Sequence, residues 1–241
     1  MSEPVMRSEE GLARMRARRN VTLFLLFAIA MFFAAFFSAY VVSKGSIDYW
    51  VTFRIPTIFW VSTAIILLGS LTAQLALGAA RKGRSSQIAT WLLVTLGLGL
   101  AFTYTQFKGW GELYRSGYAL VERLKTIQGE YGTDYTITRQ GVTLDKVDGE
   151  YFLPSDAGRT RPLNAEMDEF KNTASSYFYV LTASHWLHLV GGLIALLVMT
   201  VMAFLQRYSP ADHVGLWSGV LYWHFLAALW VIILLFLAFV H

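Results

Sequence analysis

The sequence predicts an all-α integral membrane protein: a bundle of five transmembrane helices with a cytoplasmic N-terminus and a small outer-side insert between the third and fourth helices. Three observations predict it. Of the 241 residues, 55% are hydrophobic, and the mean hydropathy is +0.46; soluble domains are less apolar and more charged. Apolar runs recur at 21–42, 58–80, 87–107, 177–205 and 218–240, each long enough to cross a hydrocarbon core of about 30 Å at about 1.5 Å per residue. The basic residues alternate between heavy and light loops, as they do in a multi-pass chain.

Residues 1–20 form a basic segment with Arg7, Arg14, Arg16, Arg18 and Arg19. The apolar run behind it is about 22 residues long. A signal-peptide core is about 7–15 residues, so this run reads as a retained span. Placing the N-terminus inside puts these arginines, Arg81, Lys82, Arg84 and Arg207 in the cytoplasm and leaves Lys44 and Arg54 in the first outer loop, in accord with the positive-inside rule. Topology explains the charges, although Arg14–Arg19 could also lie on anionic lipid. Five spans then leave His241 outside.

Residues 21–107 hold the first three spans and 174–241 the last two. Lipid-exposed backbone must satisfy its own hydrogen bonds, so the spans are helices. Between them, 108–173 carries nine Lys/Arg and eleven Asp/Glu. Its start, Trp110 to Leu124, reads as a helical extension of the third span. Tyr135–Thr138, Val142–Leu144 and Tyr151–Leu153 are short β-prone runs divided by Gln140-Gly141 and Asp148-Gly149, which predicts β-hairpins.

The contents of the spans narrow the function. None contains Asp, Glu, Lys or Arg. Pumps and ion-coupled transporters place ionisable groups within the membrane, so a self-contained transporter is disfavoured. There is no cysteine, which excludes disulfides, thiolate metal sites and iron–sulfur clusters. Phosphate loops, dinucleotide fingerprints, serine elbows and zinc-protease helices are missing from the sequence. Nothing in the charge pattern points to nucleic acid.

Besides tyrosines, the titratable groups of the spans are His185, His188 and His224. His185 and His188 lie three apart and on nearly the same helix face. Two uses are open to them: a metal or haem site, or hydrogen bonds to neighbouring helices and lipid headgroups. A haem shared with His224 is disfavoured, because the depths differ by roughly 8–15 Å at about 1.5 Å per residue. His213 and His241 fall near or beyond the membrane surface.

Trp50, Trp60, Trp91, Trp110, Trp217 and Trp223 fall near span ends, where indoles favour the headgroup layer. Ala34, Ala35, Ser38 and Ala39, then Gly69, Ser70 and Ala73, then Gly97 and Gly99, then Gly191 and Gly192 mark close helix approach. Ser62, Thr63, Ser70 and Gln106 are expected to hydrogen-bond between helices at about 1 kcal/mol each.

Two motifs carry a resemblance. One runs Tyr177-Phe-Tyr-Val-Leu-Thr-Ala-Ser-His185-Trp-Leu-His188-Leu-Val-Gly191-Gly192. The other is His213 followed by Leu221-Tyr222-Trp223-His224-Phe225 and Trp230. In this order they resemble subunit III of haem-copper terminal oxidases, the cytochrome c and quinol oxidases. Phe32-Phe33-Ala-Ala-Phe36-Phe37-Ser-Ala-Tyr40 resembles the family's aromatic helix. Pro56, Trp60, Ser62, Thr63 and Ser70 resemble its next helix, and Gln106 with Trp110 the end of the one after. The resemblance covers the last five of the seven helices of longer members, which makes this the short form. Two departures stand out: Ile29 and Ala227 occupy positions where family members carry carboxylates, which puts a part in proton uptake in doubt.

The resemblance implies a non-redox accessory subunit of a respiratory complex, with no catalytic residue and no cofactor or metal of its own; haem and copper lie in partner subunits. It implies packing against subunit I as the main contact, with subunit II and small subunits nearby, and stabilisation of the subunit that reduces oxygen to water and pumps protons. Lipid or subunit contact is expected around His185, His188, Trp223, His224, Trp60 and Gln106. The 108–173 insert is expected to be solvated or to meet a partner such as cytochrome c or a supercomplex neighbour. A bacterial cytoplasmic (inner) membrane is the expected location. A quinol oxidase or nitric oxide reductase accessory subunit stays open beside cytochrome c oxidase. A haem-binding membrane anchor and a small transporter are the other classes.

Overall fold

A computed structural model describes residues 3–209 and 213–240, except the side chains of 3–10, 12 and 14. His241 and the side chains of Arg7 and Arg14, read above as outside and cytoplasmic, lie beyond the described residues. The order is α1 (Glu3–Ser46), β1 (Tyr49–Phe53), α2 (Thr57–Arg81), α3 (Ser85–Arg115), a 3-10 turn (Leu124–Thr126), β2 (Tyr135–Arg139), β3 (Val142–Thr143), β4 (Asp145–Val147), β5 (Glu150–Phe152), α4 (Asn164–Met167), α5 (Thr173–Phe204) and α6 (Val214–Phe239). Among the described residues, five helical stretches are long and apolar enough to cross a membrane: Met15–Ser46, Thr57–Arg81, Ser85–Arg115, Thr173–Phe204 and Val214–Phe239. The chain is a multi-pass membrane protein.

The helices overrun the apolar segments. The basic N-terminal segment is helical and continuous with the first span, because nothing between Leu12 and Ser46 breaks a helix except the terminal Gly45; Pro4 sits in the first turn, where its missing N–H costs nothing. Three helix ends share one device. The N–H of Arg84 bonds to Ala79 O, that of Tyr118 to Leu113 O and that of Arg207 to Met202 O, each 3.0 Å. The residue before each is left-handed: Gly83 (φ +69), Gly117 (φ +82) and Gln206 (φ +52). This is the Schellman closure, which satisfies orphan carbonyls and ends the helix. It stops α3 at Arg115, so the expected helix through Leu124 does not form.

Two hairpins occupy the insert. β2 and β3 turn at Gln140-Gly141, and β4 and β5 at Asp148-Gly149. All four turn residues have positive φ, as the tight two-residue hairpin turn requires. One strand was not expected. Tyr49–Phe53, read as plain outer loop, is β1, and it pairs antiparallel with β2 from Tyr49↔Arg139 to Phe53↔Tyr135. Its Tyr-Trp-Val-Thr-Phe sequence is aromatic and β-branched, which suits a strand. The sheet therefore includes the loop between α1 and α2.

Close contacts divide the chain into two compact units: Met1–Phe33, Val61–Tyr104 and His185–Val231; and Ala34–Trp60, Thr105–Ser184 and Ile232–His241. In the first, Ile66, Leu92, Phe102, Leu189, Leu196, Leu226 and Trp230 form the core; in the second, Tyr40, Tyr49, Phe59, Ile137, Phe178 and Leu181 do.

Candidate functional site

In the first unit, α6 presents Trp223 and His224 to different neighbours. His224 reaches α2 with both ring nitrogens. Nε2 donates to Gln74 Oε1 at 3.1 Å, and Nδ1 accepts a hydrogen bond from the Ser70 hydroxyl. Ser70 and Gln74 are four apart, so one helix face supplies both partners. The arrangement selects the neutral Nε2–H tautomer.

Trp223 is buried and sits in a cradle of glycines from three helices. A Cβ at Gly69 of α2 would lie 3.3 Å from its Nε1. One at Gly99 of α3 would lie 2.8 Å from Cη2, and one at Gly192 of α5 would lie 3.4 Å from Cε3. Among the described residues the indole N–H has no partner. The headgroup-layer reading of Trp223 is thus corrected: glycines open a space that only a large planar ring fills. Trp50 is corrected too. It is buried and packs edge-on against Tyr40 at 5.1 Å.

His185 and His188 part company. His185 is fully buried; its Nε2 donates to Leu226 O at 3.0 Å, and its ring lies 5.2 Å from that of Trp230 and 5.9 Å from that of Phe102. His188 packs on Phe32 and Phe33 of α1 at 5.9 and 5.7 Å, and its carbonyl accepts from Tyr222 at 2.9 Å. A three-residue step rotates a helix by about 300°, enough to place the two rings in different helix–helix seams. Among the described residues no three His, Asp or Glu side chains gather where they could hold a metal ion.

In the second unit, Gln106 is fully buried, whereas Trp60 is 45% exposed and lines a cleft of about 250 Å³ with Phe53, Arg54, Leu237 and Ala238. Of the six expected contact residues, His185, Trp223 and Gln106 therefore fill the interior of the chain. Trp60 reaches the surface, and His188 and His224 are half-buried. Two of the expected interhelical hydrogen-bonding residues do bond across helices: Thr63 accepts from Trp230 Nε1 at 3.0 Å, and Ser70 meets His224. Gln74, Thr95 and Thr182 were not foreseen. Thr95 bonds Thr72 at 2.8 Å, and Thr182 accepts from Trp110 at 3.1 Å. The Ser70-x-x-x-Gln74 spacing in an apolar span was the available signal for Gln74.

Comparison with known proteins adds to this geometry. Residues 166–240 match the family model of cytochrome c oxidase subunit III. A probable cytochrome c oxidase subunit 3 of Nocardia farcinica is 23% identical over 219 residues, 87% of this chain and 81% of that protein. The cytochrome c oxidase subunit 3 of Synechocystis is 38% identical over 71 residues, 28% of this chain and 30% of that protein. The cytochrome bo(3) ubiquinol oxidase subunit 3 of Pseudomonas aeruginosa is 25% identical over 179 residues, 74% of this chain and 62% of that protein. The latter two matches thus take in less than two thirds of the relative. Both sequence motifs, five apolar helices, and a family match over α5 and α6 agree: the chain is similar to subunit III of haem-copper oxidases.

Proposed function

We propose that this chain is the non-redox accessory subunit of a respiratory oxidase, holding the helices of the complex together while a larger partner reduces oxygen and pumps protons. The observation that carries it is the use of the membrane histidines. His185 is bonded to Leu226 O, and His224 to Ser70 and Gln74; these rings tie helices of the same chain to one another. Haem and copper belong to partner subunits, with subunit I as the main contact and subunit II and small subunits beside it. The chain lies in a bacterial inner membrane with its N-terminus inside.

Partner and lipid contacts belong to exposed groups. Trp60 and the half-buried His188 and His224 are the members of the expected set able to meet a lipid or a subunit, while His185, Trp223 and Gln106 act by shaping the helices. The β-containing insert is the surface for a soluble donor or a neighbouring complex. The α3 face of Gly97, Leu100, Ala101 and Tyr104 is exposed. A small-xxx-small spacing suits a docked helix, and a tyrosine hydroxyl facing hydrocarbon is costly without a partner. This face suits a span of the large subunit.

The similarity to a ubiquinol oxidase subunit supports a second reading, in which the same accessory role serves a quinol oxidase. The test is purification through a tag on this chain from native membranes in mild detergent. The reduced-minus-oxidised spectrum and oxygen uptake are followed as the complex dissociates. Haem that co-purifies and stays with a larger subunit after this chain is stripped is the expected result. Haem that follows this chain, or no haem protein at all, overturns it. Activity with reduced cytochrome c against quinol separates the two readings.

A further inference from the structure

The 3-10 turn, the β4–β5 hairpin and α4 enclose a cavity of about 190 Å³ within the insert. Its walls bring together two ammonium groups, Lys125 and Lys146, two phenols, Tyr135 and Tyr151, and one carboxylate, Asp168. Lys146 stands in the middle of β4, opposite Tyr151 of β5, and its Nζ lies 5.2 Å from the centre of that ring. The buried side chains of Leu124 and Met167 complete the lining. Among the described residues neither lysine forms an ion pair, with Asp168 or with any other carboxylate; the Arg139–Glu166 pair lies outside this cavity.

The cavity holds more donors than acceptors. Lys146 Nζ donates to the Tyr135 hydroxyl oxygen at 3.1 Å, and the Tyr135 and Tyr151 hydroxyls bond to each other at 2.9 Å. An ammonium carries three hydrogens and a phenol one. Whichever phenol donates to the other, one phenolic hydrogen and two hydrogens of Lys146 are therefore left over. Asn164 cannot receive them: its Oδ1 accepts the Tyr151 N–H at 2.9 Å, and its Nδ2 donates to Gly149 O at 3.0 Å. Burial holds the Tyr151 hydroxyl above the usual tyrosine range, so it keeps its proton. Two ammoniums and one carboxylate leave the cavity with a net charge of +1, and like charges in one small space repel unless an anion lies between them.

We propose that this cavity binds a monovalent carboxylate, held by the Lys125 and Lys146 ammoniums and by the left-over phenolic hydrogen of the Tyr135–Tyr151 pair. The volume is below the range of about 300–1,000 Å³ for drug-sized ligands and suits a group as small as a carboxylate. Hydrogen bonds between ammoniums and a carboxylate are charge-assisted, and stronger than neutral ones. Asp168 sets the selectivity: a single negative charge neutralises the cavity, whereas a dianion meets the Asp168 carboxylate unfavourably. The same chemistry is offered by a free acetate-sized ion and by an acidic side chain of a neighbouring polypeptide. The site rests on the fold of the insert rather than on the oxidase reading, so absence of haem from the purified complex would not affect its readout.

The test is lysine footprinting of the intact complex, purified through this chain into carboxylate-free buffer. Lys125 and Lys146 are labelled by reductive methylation, and mass spectrometry follows the rate as potassium acetate replaces potassium chloride at constant ionic strength. At ten times the half-protecting concentration, labelling of both lysines should slow about tenfold by mass action, with sulfate protecting less. Tyr135→Phe with Tyr151→Phe keeps the rings around Lys146 and removes the phenolic hydrogen; Lys125→Gln removes one ammonium. Each should raise the half-protecting concentration about tenfold, the loss of one charge-assisted hydrogen bond, with the insert as resistant to protease as in the wild type. Asp168→Asn should let sulfate protect as well as acetate. Carbodiimide treatment of the same complex identifies the source: protection by acetate means a free ion, and a cross-link from Lys125 or Lys146 to an acidic residue of another subunit means a partner side chain. Protection by acetate no greater than by chloride, together with no such cross-link, overturns the proposal. So does protection unchanged in both the phenol and the Lys125 variants, or a cross-link that joins the lysines to Asp168 alone.

Discussion

Gly99 of α3 lies so close to Trp223 of α6 that a methyl group at position 99 would come within 2.8 Å of the indole Cη2, and within 2.6 Å of Leu193 Cδ2. The contact sets a graded expectation for three glycines. Gly99→Ala overpacks the first unit and should cost about 1–3 kcal/mol. Gly69→Ala meets Trp223 Nε1 at 3.3 Å and should cost less. Gly97→Ala meets open space, and helix propensity favours alanine by about 1 kcal/mol. Thermal unfolding of the subunit separated from its partners, in detergent, should rank the variants Gly97→Ala, Gly69→Ala, Gly99→Ala from most to least stable. Equal melting points would remove the glycine cradle from the account.

The bonds from His224 to Ser70 and Gln74 give a second expectation. Interhelical hydrogen bonds in membranes average about 0.6 kcal/mol and reach about 1.7. His224→Leu and Gln74→Leu should each lower stability by about that much, and the double variant by less than the sum. A double-mutant cycle measures the shortfall. Strict additivity would mean that the 3.1 Å contact contributes nothing.

Lys146 sits over the rings of Tyr151, Tyr135 and Tyr131 at 5.2, 5.6 and 6.0 Å, and donates to Tyr135 OH at 3.1 Å. It fastens the β4–β5 hairpin to β2. Burial raises the Tyr131 and Tyr151 hydroxyls above the ordinary tyrosine range and pushes Tyr49, on β1, up to about 12. A raised tyrosine pKa favours the folded state fully below the unfolded value of about 10, and the benefit is lost as pH rises through the folded value. The insert should therefore loosen above pH 10. Phenolate absorbance at 295 nm is expected to appear late and together with loss of the sheet. Early independent ionisation of every tyrosine would contradict the packing. Lys146→Met should lower the pH at which the sheet is lost.

The spans were legible because the membrane imposes one simple rule. Segments about 20 residues long without charge must be helices, and 21–42 through 218–240 satisfied it. Short-range turn chemistry gave the hairpins, since Gln140-Gly141 and Asp148-Gly149 carry their own conformational preference. Long-range pairing was hidden. β1 takes its partner from about 90 residues away, and the aromatic, β-branched Tyr49–Phe53 suits a strand without revealing which segment it pairs with. The contact residues were partly legible for a related reason. Trp223 and Trp60 both lie near span ends, but burial depends on Gly69, Gly99 and Gly192, which belong to other helices. The i, i+3 spacing of His185 and His188 located them on α5 without revealing that one faces α6 and the other α1.

Gly117 offers the sharpest backbone test. Its φ of +82 closes α3, and a Cβ there would sit 2.2 Å from the carbonyl oxygen of Thr126 and 2.8 Å from its carbon. Both neighbours are backbone, so no side chain can swing aside. Left-handed geometry alone costs an alanine about 1–2 kcal/mol, and the clash adds to it. Gly117→Ala should displace Ser116–Gln128, whose N–H to carbonyl bond at 3.0 Å closes that loop, while leaving the helical spans in place. Limited proteolysis of the detergent-solubilised complex should then cut within 116–130 far sooner than in the wild type, at unchanged helical circular dichroism. An uncut loop would show that the turn after α3 tolerates a side chain, and that something other than glycine geometry ends the helix.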